Sequence, residues 1–346
     1  MNGAAPGGPP HIGKRWSRRR VLLVAAATCG LPFTSRSAGS SSADTPPTYS
    51  WRGSALGAPA QITLQHPDPR SVRRTIQACL GEIARLDAVF SLHNERSEIV
   101  RLNRSGYLRQ PSLDLRILME QSQWLGHITD GAFDVTVQPL WQLYAQHFRE
   151  ADADRRGPTH EALARVRGRI DYQRIDIGSG AIGFLKSGMA ATLNGIAQGA
   201  ITDRIADILK NESYDRVLVN IGEIAALEPP ANTTGWQVRI DDPVSPCQAL
   251  GRVRLANRAI ATSSGHATRF DESGDHHHLF DPTTGRSAAR HRSVSVIAST
   301  AALSDALSTA LSVLPADRAA AVLRDAGAEK ALLVTPAGTA TWIAGA

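Results

Sequence analysis

The sequence predicts an α+β fold, mixed sheets packed with helices, and three observations carry that expectation. Helical and strand-like patterns mix along the chain without the strict alternation of a doubly wound parallel sheet. Most strand-like runs follow one another between residues 216 and 298. Two helical stripes then precede one closing strand at 330–334. With 346 residues, the chain is long enough for one large domain or two small ones and for a substantial core.

The first 43 residues read as an address. They hold Lys14, Arg15, Arg18, Arg19, Arg20 and Arg36 and no acid. Without these six, the 38 basic residues fall to 32, equal to the 32 acidic ones, so the net charge of +6 belongs to the N-terminus. A near-neutral body lacks the footprint of a nucleic-acid binder, and no such partner is expected. Ser17–Leu23 reads S-R-R-R-V-L-L and opens an apolar run to Leu31, after which Ser-rich sequence ends in S-S-A at 41–43. This is the layout of a twin-arginine export signal cleaved after Ala43, leaving residues 44–346 as a periplasmic domain. The apolar run is about eleven residues, short of the roughly twenty that a membrane span needs. Cys29 follows Thr28, a poor small residue for lipid attachment, so a cleaved signal is favoured over a lipid anchor.

The elements follow in order. A linker of Ser, Pro and Thr at 40–48 leads to a helix at 71–87 with the stripe Val72, Ile76, Cys79, Ile83 and Leu86, which makes Cys79 a core residue. An oxidising compartment permits a Cys79–Cys247 disulfide, but no spacing implies one. Helices at 112–128 and 160–167 flank the polar loop A-D-A-D-R-R-G-P-T-H at 151–160. I-G-S-G-A-I-G at 177–183 spells the dinucleotide fingerprint, yet F-L-K-S-G-M follows without a helical stripe, so a glycine-rich hairpin turn is expected. A helix over 195–210 carries Ile196, Ala200, Ile205 and Leu209. Its free N–H groups at Asn194 and Gly195 suit a phosphate, although Asn is also simply a good N-cap. Strands are expected at 216–221, 236–240, 252–255 and 293–298, and helices at 301–313 and 317–326.

Two polar groups stand out. His276, His277 and His278 are consecutive, and adjacent strand residues face opposite ways, so the three cannot share one site. The D-P-T-T-G that follows the L-F after them is a turn sequence. Asp305 and Thr309 are four apart in the apolar stripe Ala302, Leu303, Ala306, Leu307, Ala310, Leu311 and Val313, which puts both oxygens on one helix face at the core boundary. An unpaired carboxylate there is costly. A salt bridge, a helix-start role or a hard cation would each answer it.

Six ordered segments resemble one family, the FAD:protein FMN transferases. They are F-S-L-H-N-E-R-S-E-I-V-R-L-N at 90–103, T-D-G-A-F-D-V-T-V at 129–137, L-N-G-I-A-Q-G at 193–199, A-I-A-T-S-S-G at 259–265, the H-x-x-D-P-x-T-G turn from His278, and D-A-L-S-T at 305–309. The resemblance implies a flavin transferase-like fold and a catalytic domain over 44–346. It also implies transfer of FMN from FAD to a Thr or Ser hydroxyl of an acceptor protein, with release of AMP. Mg²⁺ would be held by Asp305, Thr309 and the carbonyl of Gly195. His278 would take the hydroxyl proton, with Asp281 orienting it or holding the turn. Ala132, Phe133 and Asp134 would contact the flavin side, with Ser97 and Glu98 building that pocket. Ser264 and Gly265 would line the nucleotide.

The chain departs from the family pattern at Thr192, Gln198 and His93, where Asp, Lys and Tyr are usual; Thr192, Asn194 and Gln198 would lie beside the diphosphate. The L-N-G-I-A-Q-G wording, with V-N-I-G-E-I at 219–224, looks like the subgroup linked to nitrous oxide respiration, whose partner is a membrane flavoprotein. A periplasmic protein that binds or hydrolyses FAD without an acceptor is the alternative expectation.

Overall fold

The computed structural model describes residues 34–35, 46–56, 58–230 and 233–345. The described residues belong to one compact unit. Arg18, Arg19, Cys29 and the cleavage point at Ala43 lie outside the described residues. No helix among the described residues is long and apolar enough to cross a membrane.

The N-terminal half is mostly helical. After β1 (Thr34–Ser35) and the hairpin β2 (Thr48–Ala55) and β3 (Ala58–Gln65) come α1 (Pro69–Phe90), α2 (Glu98–Ser105), β4 (Tyr107–Arg109), α3 (Leu113–Ile128), α4 (Gln138–His147) and α5 (His160–Arg167). The hairpin β5 (Ile175–Ile177) and β6 (Ala181–Phe184) then leads to α6 (Ala197–Asn211). Gly178 N–H donates to the Ala181 carbonyl at 2.9 Å across that turn, so the glycine-rich segment is a hairpin as expected.

Strands dominate the second half. They are β7 (Val217–Ile221), β8 (Glu223–Ala226), β9 (Trp236–Asp241), β10 (Ala249–Leu255), β11 (Arg258–Ser263), β12 (Phe280–Asp281), β13 (Arg286–Ser287) and β14 (Ser293–Ala298). The chain closes with α7 (Ala301–Val313), α8 (Ala319–Asp325), β15 (Lys330–Val334) and β16 (Ala340–Ala344). The main sheet runs β1-β2-β3-β7-β8-β11-β14-β15-β16, with neighbours antiparallel throughout.

Alternation along these strands sends side chains to two cores. Ile62, Val219, Val294 and Val296 belong to the large core with Ile76 and Cys79 of α1, Ile201 of α6 and Leu307 of α7. On the other face Ala226, Ile260, Ile297 and Leu332 pack with Val238, Ile240 and Leu255 of the β9–β10 hairpin. Every residue of β14 is therefore buried, because the strand is covered on both sides. Cys79 is fully buried and Cys247 exposed, and both are free thiols.

Candidate active site

Two helices build the floor of the site. Helix α6 has no side-chain cap at Ile196; the Leu193 carbonyl takes the Ala197 N–H at 2.8 Å, and the Gly199 N–H needs a further acceptor. Asp305 of α7 supplies one, taking the Gly199 N–H on Oδ2 at 3.2 Å. Asp203 of α6 returns the favour: its two oxygens accept from Ala301 N–H at 2.6 Å and Ala302 N–H at 2.8 Å at the start of α7. The helices must come close for this exchange. A Cβ placed on Gly199 would lie 2.3 Å from the Ala301 carbonyl oxygen, so only glycine fits there.

Above this floor opens a cavity of about 210 Å³. Its lining joins the loop at 132–137 and Trp141 to the start of α6, to Glu223 and Thr262, and to His278, Asp305 and Thr309. Ser263 Oγ lies 2.6 Å from Ser308 Oγ and 3.3 Å from Thr309 Oγ1, which fixes the hydroxyl end of the pair seen in the sequence. Gly195 sits against it: a Cβ there would be 3.0 Å from Thr309 Oγ1.

Charge in the cavity is one-sided. Asp305 is buried, and burial followed by repulsion from Asp203 pushes its pKa above the ordinary carboxylate range. Glu223 is raised well above that range too, by burial first and then by the negative charge of Asp305. No lysine or arginine lines the cavity among the described residues. Carboxylate, hydroxyl and carbonyl oxygens from Asp305, Thr309 and Gly195 are the donor types that a hard dication selects. No cluster of three His, Cys, Asp or Glu side chains suited to a metal occurs among the described residues.

The three histidines part company as the alternation requires. His276 leaves toward α4, its ring centroid 4.9 Å from that of Phe148 and its Nε2 3.1 Å from the Arg155 carbonyl. His277 turns into the core. His278 faces the cavity, with Nδ1 3.1 Å from the Thr268 carbonyl. A carbonyl only accepts, so Nδ1 carries the hydrogen and Nε2 keeps its lone pair. Burial lowers the His278 pKa, which keeps the ring neutral at pH 7 and able to accept a proton.

Ala132, Phe133, Asp134, Thr192, Asn194, Gly195, Gln198, Ser264, His278, Asp305 and Thr309 all line the cavity. Asp134 also serves the local turn, accepting from Thr136 N–H and hydroxyl and from Tyr172 N–H, while burial lifts its pKa to about 6. Ser97, Glu98, His93 and Gly265 are placed otherwise, and Asp281 takes the second of its two expected roles, holding the turn. Asp281 spends its carboxylate on Thr283 and Thr284 in the turn, so His278 is oriented by Thr268 rather than by Asp281. Ser97 caps α2 and donates to Ser91, and Glu98 accepts from Ser112 N–H. His93 is exposed on the loop before α2. Gly265 packs on the His277 ring, where a Cβ would come within 2.5 Å. Glu223, Asp203, Thr262 and Trp141 escaped the sequence reading; a glutamate inside the apolar V-N-I-G-E-I was the one available signal.

A family model described as the ApbE family matches residues 56–333, most of the chain. The chain belongs to the ApbE family. It is 28% identical over 256 residues to a FAD:protein FMN transferase of Haemophilus influenzae, covering 70% of this chain and 72% of that one. A FAD:protein FMN transferase of Klebsiella pneumoniae is 24% identical over 298 residues, covering 83% and 89%. Among solved structures, the apbe protein of Thermotoga maritima superposes with TM-score 0.75 at 26% identity, over 85% of this chain and 96% of that one. The apo flavinyl transferase ApbE of Pseudomonas stutzeri gives TM-score 0.75 at 23% identity, over 88% and 96%, and shows the shared ApbE fold.

Proposed function

We propose that this protein transfers FMN from FAD to a Thr or Ser hydroxyl of an acceptor protein, with Mg²⁺ as the working cation. The ApbE relatives that span most of the chain are named for this activity. One observation carries the chemistry: His278, with Nε2 open, lines the same cavity as the oxygen donors of Asp305 and Thr309. In the reaction, the acceptor oxygen bonds to the FMN phosphorus, the bond from that phosphorus to the bridging oxygen breaks, and AMP leaves with that oxygen. His278 Nε2 takes the hydroxyl proton, and the Thr268 carbonyl holds the ring for it. Gln198, at the cavity lining, replaces a point charge by an amide that donates hydrogen bonds. A bound Mg²⁺ would supply the positive charge that the lining itself lacks, held by Asp305, Thr309 and the Gly195 carbonyl.

The Arg18–Arg19 pair supports twin-arginine export to the periplasm, and the L-N-G-I-A-Q-G wording supports a membrane flavoprotein acceptor of the nitrous oxide respiration system. Incubation with FAD and Mg²⁺, with and without an acceptor domain, tests the activity by AMP release. Release that needs the acceptor is the expected result; release without it would assign FAD hydrolysis, the reading that the neutral Thr192 and Gln198 leave as the alternative.

A further inference from the structure

We propose that Glu223 is a further ligand of the cation site, so that two carboxylates rather than one face the metal; this rests on the cation reading above. Glu223 opens β8 directly after Gly222, whose φ of +86° makes the tight turn from β7. The turn sets a glutamate at the end of an apolar strand pair, with the side chain inward: Glu223 is only 8% exposed and lines the cavity together with Asp305.

Each of the two carboxylates has one oxygen satisfied by the backbone. Thr262 N–H donates to Glu223 Oε2 at 3.3 Å, and Gly199 N–H donates to Asp305 Oδ2 at 3.2 Å. Among the described residues, no hydrogen bond is made to the other oxygen of either group. Among the described residues, no cationic side chain lines the cavity that Glu223 and Asp305 share. Two like charges taken out of water against each other are strongly unfavourable unless a counter-charge or a shared proton joins them. A dication answers both charges, uses the two remaining oxygens, and matches the hydroxyl and carbonyl donors already present.

The test is titration of Mn²⁺, as a spectroscopic stand-in for Mg²⁺, into the metal-free mature protein without FAD, for wild type, Glu223→Gln and Glu223→Asp. Glu223→Gln should weaken Mn²⁺ binding by about tenfold or more. Its metal-free Tm should equal or exceed that of wild type, because a like-charge contact is removed, while the rise in Tm on adding Mg²⁺ shrinks. Glu223→Asp keeps the charge and should retain most of the affinity that the Gln variant loses. Unchanged Mn²⁺ binding in Glu223→Gln overturns the proposal and leaves a shared proton as the link between the carboxylates. Equal losses in the Gln and Asp variants assign the residue to packing and overturn it as well. A wild type that binds no Mn²⁺ removes the cation reading itself, a failure visible before any variant is made.

Discussion

Asp203 and Asp305 cap each other's helices: each carboxylate accepts backbone N–H groups at the start of the helix that carries the other. The exchange locks α6 and α7 at their crossing and leaves one oxygen of Asp305 for the cavity. It also explains the spacing of Gly199 with Asp203 and of Ala301 with Asp305, each pair one helical turn apart, since the small residue admits the neighbouring backbone that the carboxylate caps.

Asp203→Ala should therefore cost about 1–2 kcal/mol of stability, the loss expected for an N-cap, although Asp203 lines no part of the cavity. Asp305→Asn should keep the cap on Gly199, because an amide oxygen still accepts, and should abolish the Mg²⁺-induced rise in Tm. Urea unfolding and thermal melts with and without Mg²⁺ measure both; a metal response preserved in Asp305→Asn would remove Asp305 from the ligand set.

The helices of the core were legible because their stripes are long and regular, as in Val72 to Leu86 and Ala302 to Val313. Helix α2 escaped because eight residues hold only two buried positions, Ile99 and Leu102. Strand β8 escaped because its four residues continue the apolar β7 with a single glycine between them. The site was legible where a polar group interrupts an apolar stripe, as Asp305 does. It was left open where polar side chains serve a turn: Asp281 was expected either to orient a histidine or to hold the turn, and nothing local in the sequence separates the two. Asp203 was hidden because its partner lies about a hundred residues away in sequence, on α7.

His277 gives a pH dependence whose sign is fixed by its hydrogen bonds. Nδ1 accepts from Leu279 N–H at 3.3 Å and Nε2 donates to the Ala288 carbonyl at 2.9 Å, so the ring is held neutral, and burial pushes its pKa down to about 4. Between roughly pH 6.5 and 4, the unfolded chain binds a proton that the folded one refuses, and stability falls as pH drops through that window. Asp134 and Asp203, both raised to about 6 by burial, act in the opposite sense. The His277 contribution is isolated by comparison with His277→Gln, which loses packing at every pH but not the proton. Its stability deficit should narrow by roughly 2–3 kcal/mol between about pH 7 and pH 4.5. A deficit constant with pH in urea titrations would contradict the neutral ring.

Export is tested at Arg18 and Arg19. Replacing both by Lys should leave the precursor in the cytoplasm while purified protein keeps its activity; fractionation showing normal periplasmic accumulation would remove the twin-arginine reading.

The proton acceptor is tested at His278. His278→Ala should lower acceptor-dependent AMP release by about 10²–10⁴-fold, with FAD affinity changed little, because the ring acts on the attacking hydroxyl. The acid limb of the wild-type activity profile should lie below the ordinary histidine pKa, since burial lowers the pKa of this ring, and an acid limb at or above that value would contradict the assignment.

The most direct measurement is mass spectrometry of an acceptor domain after incubation with the mature protein, FAD and Mg²⁺. The expected result is an acceptor that gains one FMN in phosphoester linkage to a Thr or Ser, with one AMP released per FMN attached. An unmodified acceptor, with AMP and free FMN accumulating at the same rate whether or not it is present, would contradict the transferase account.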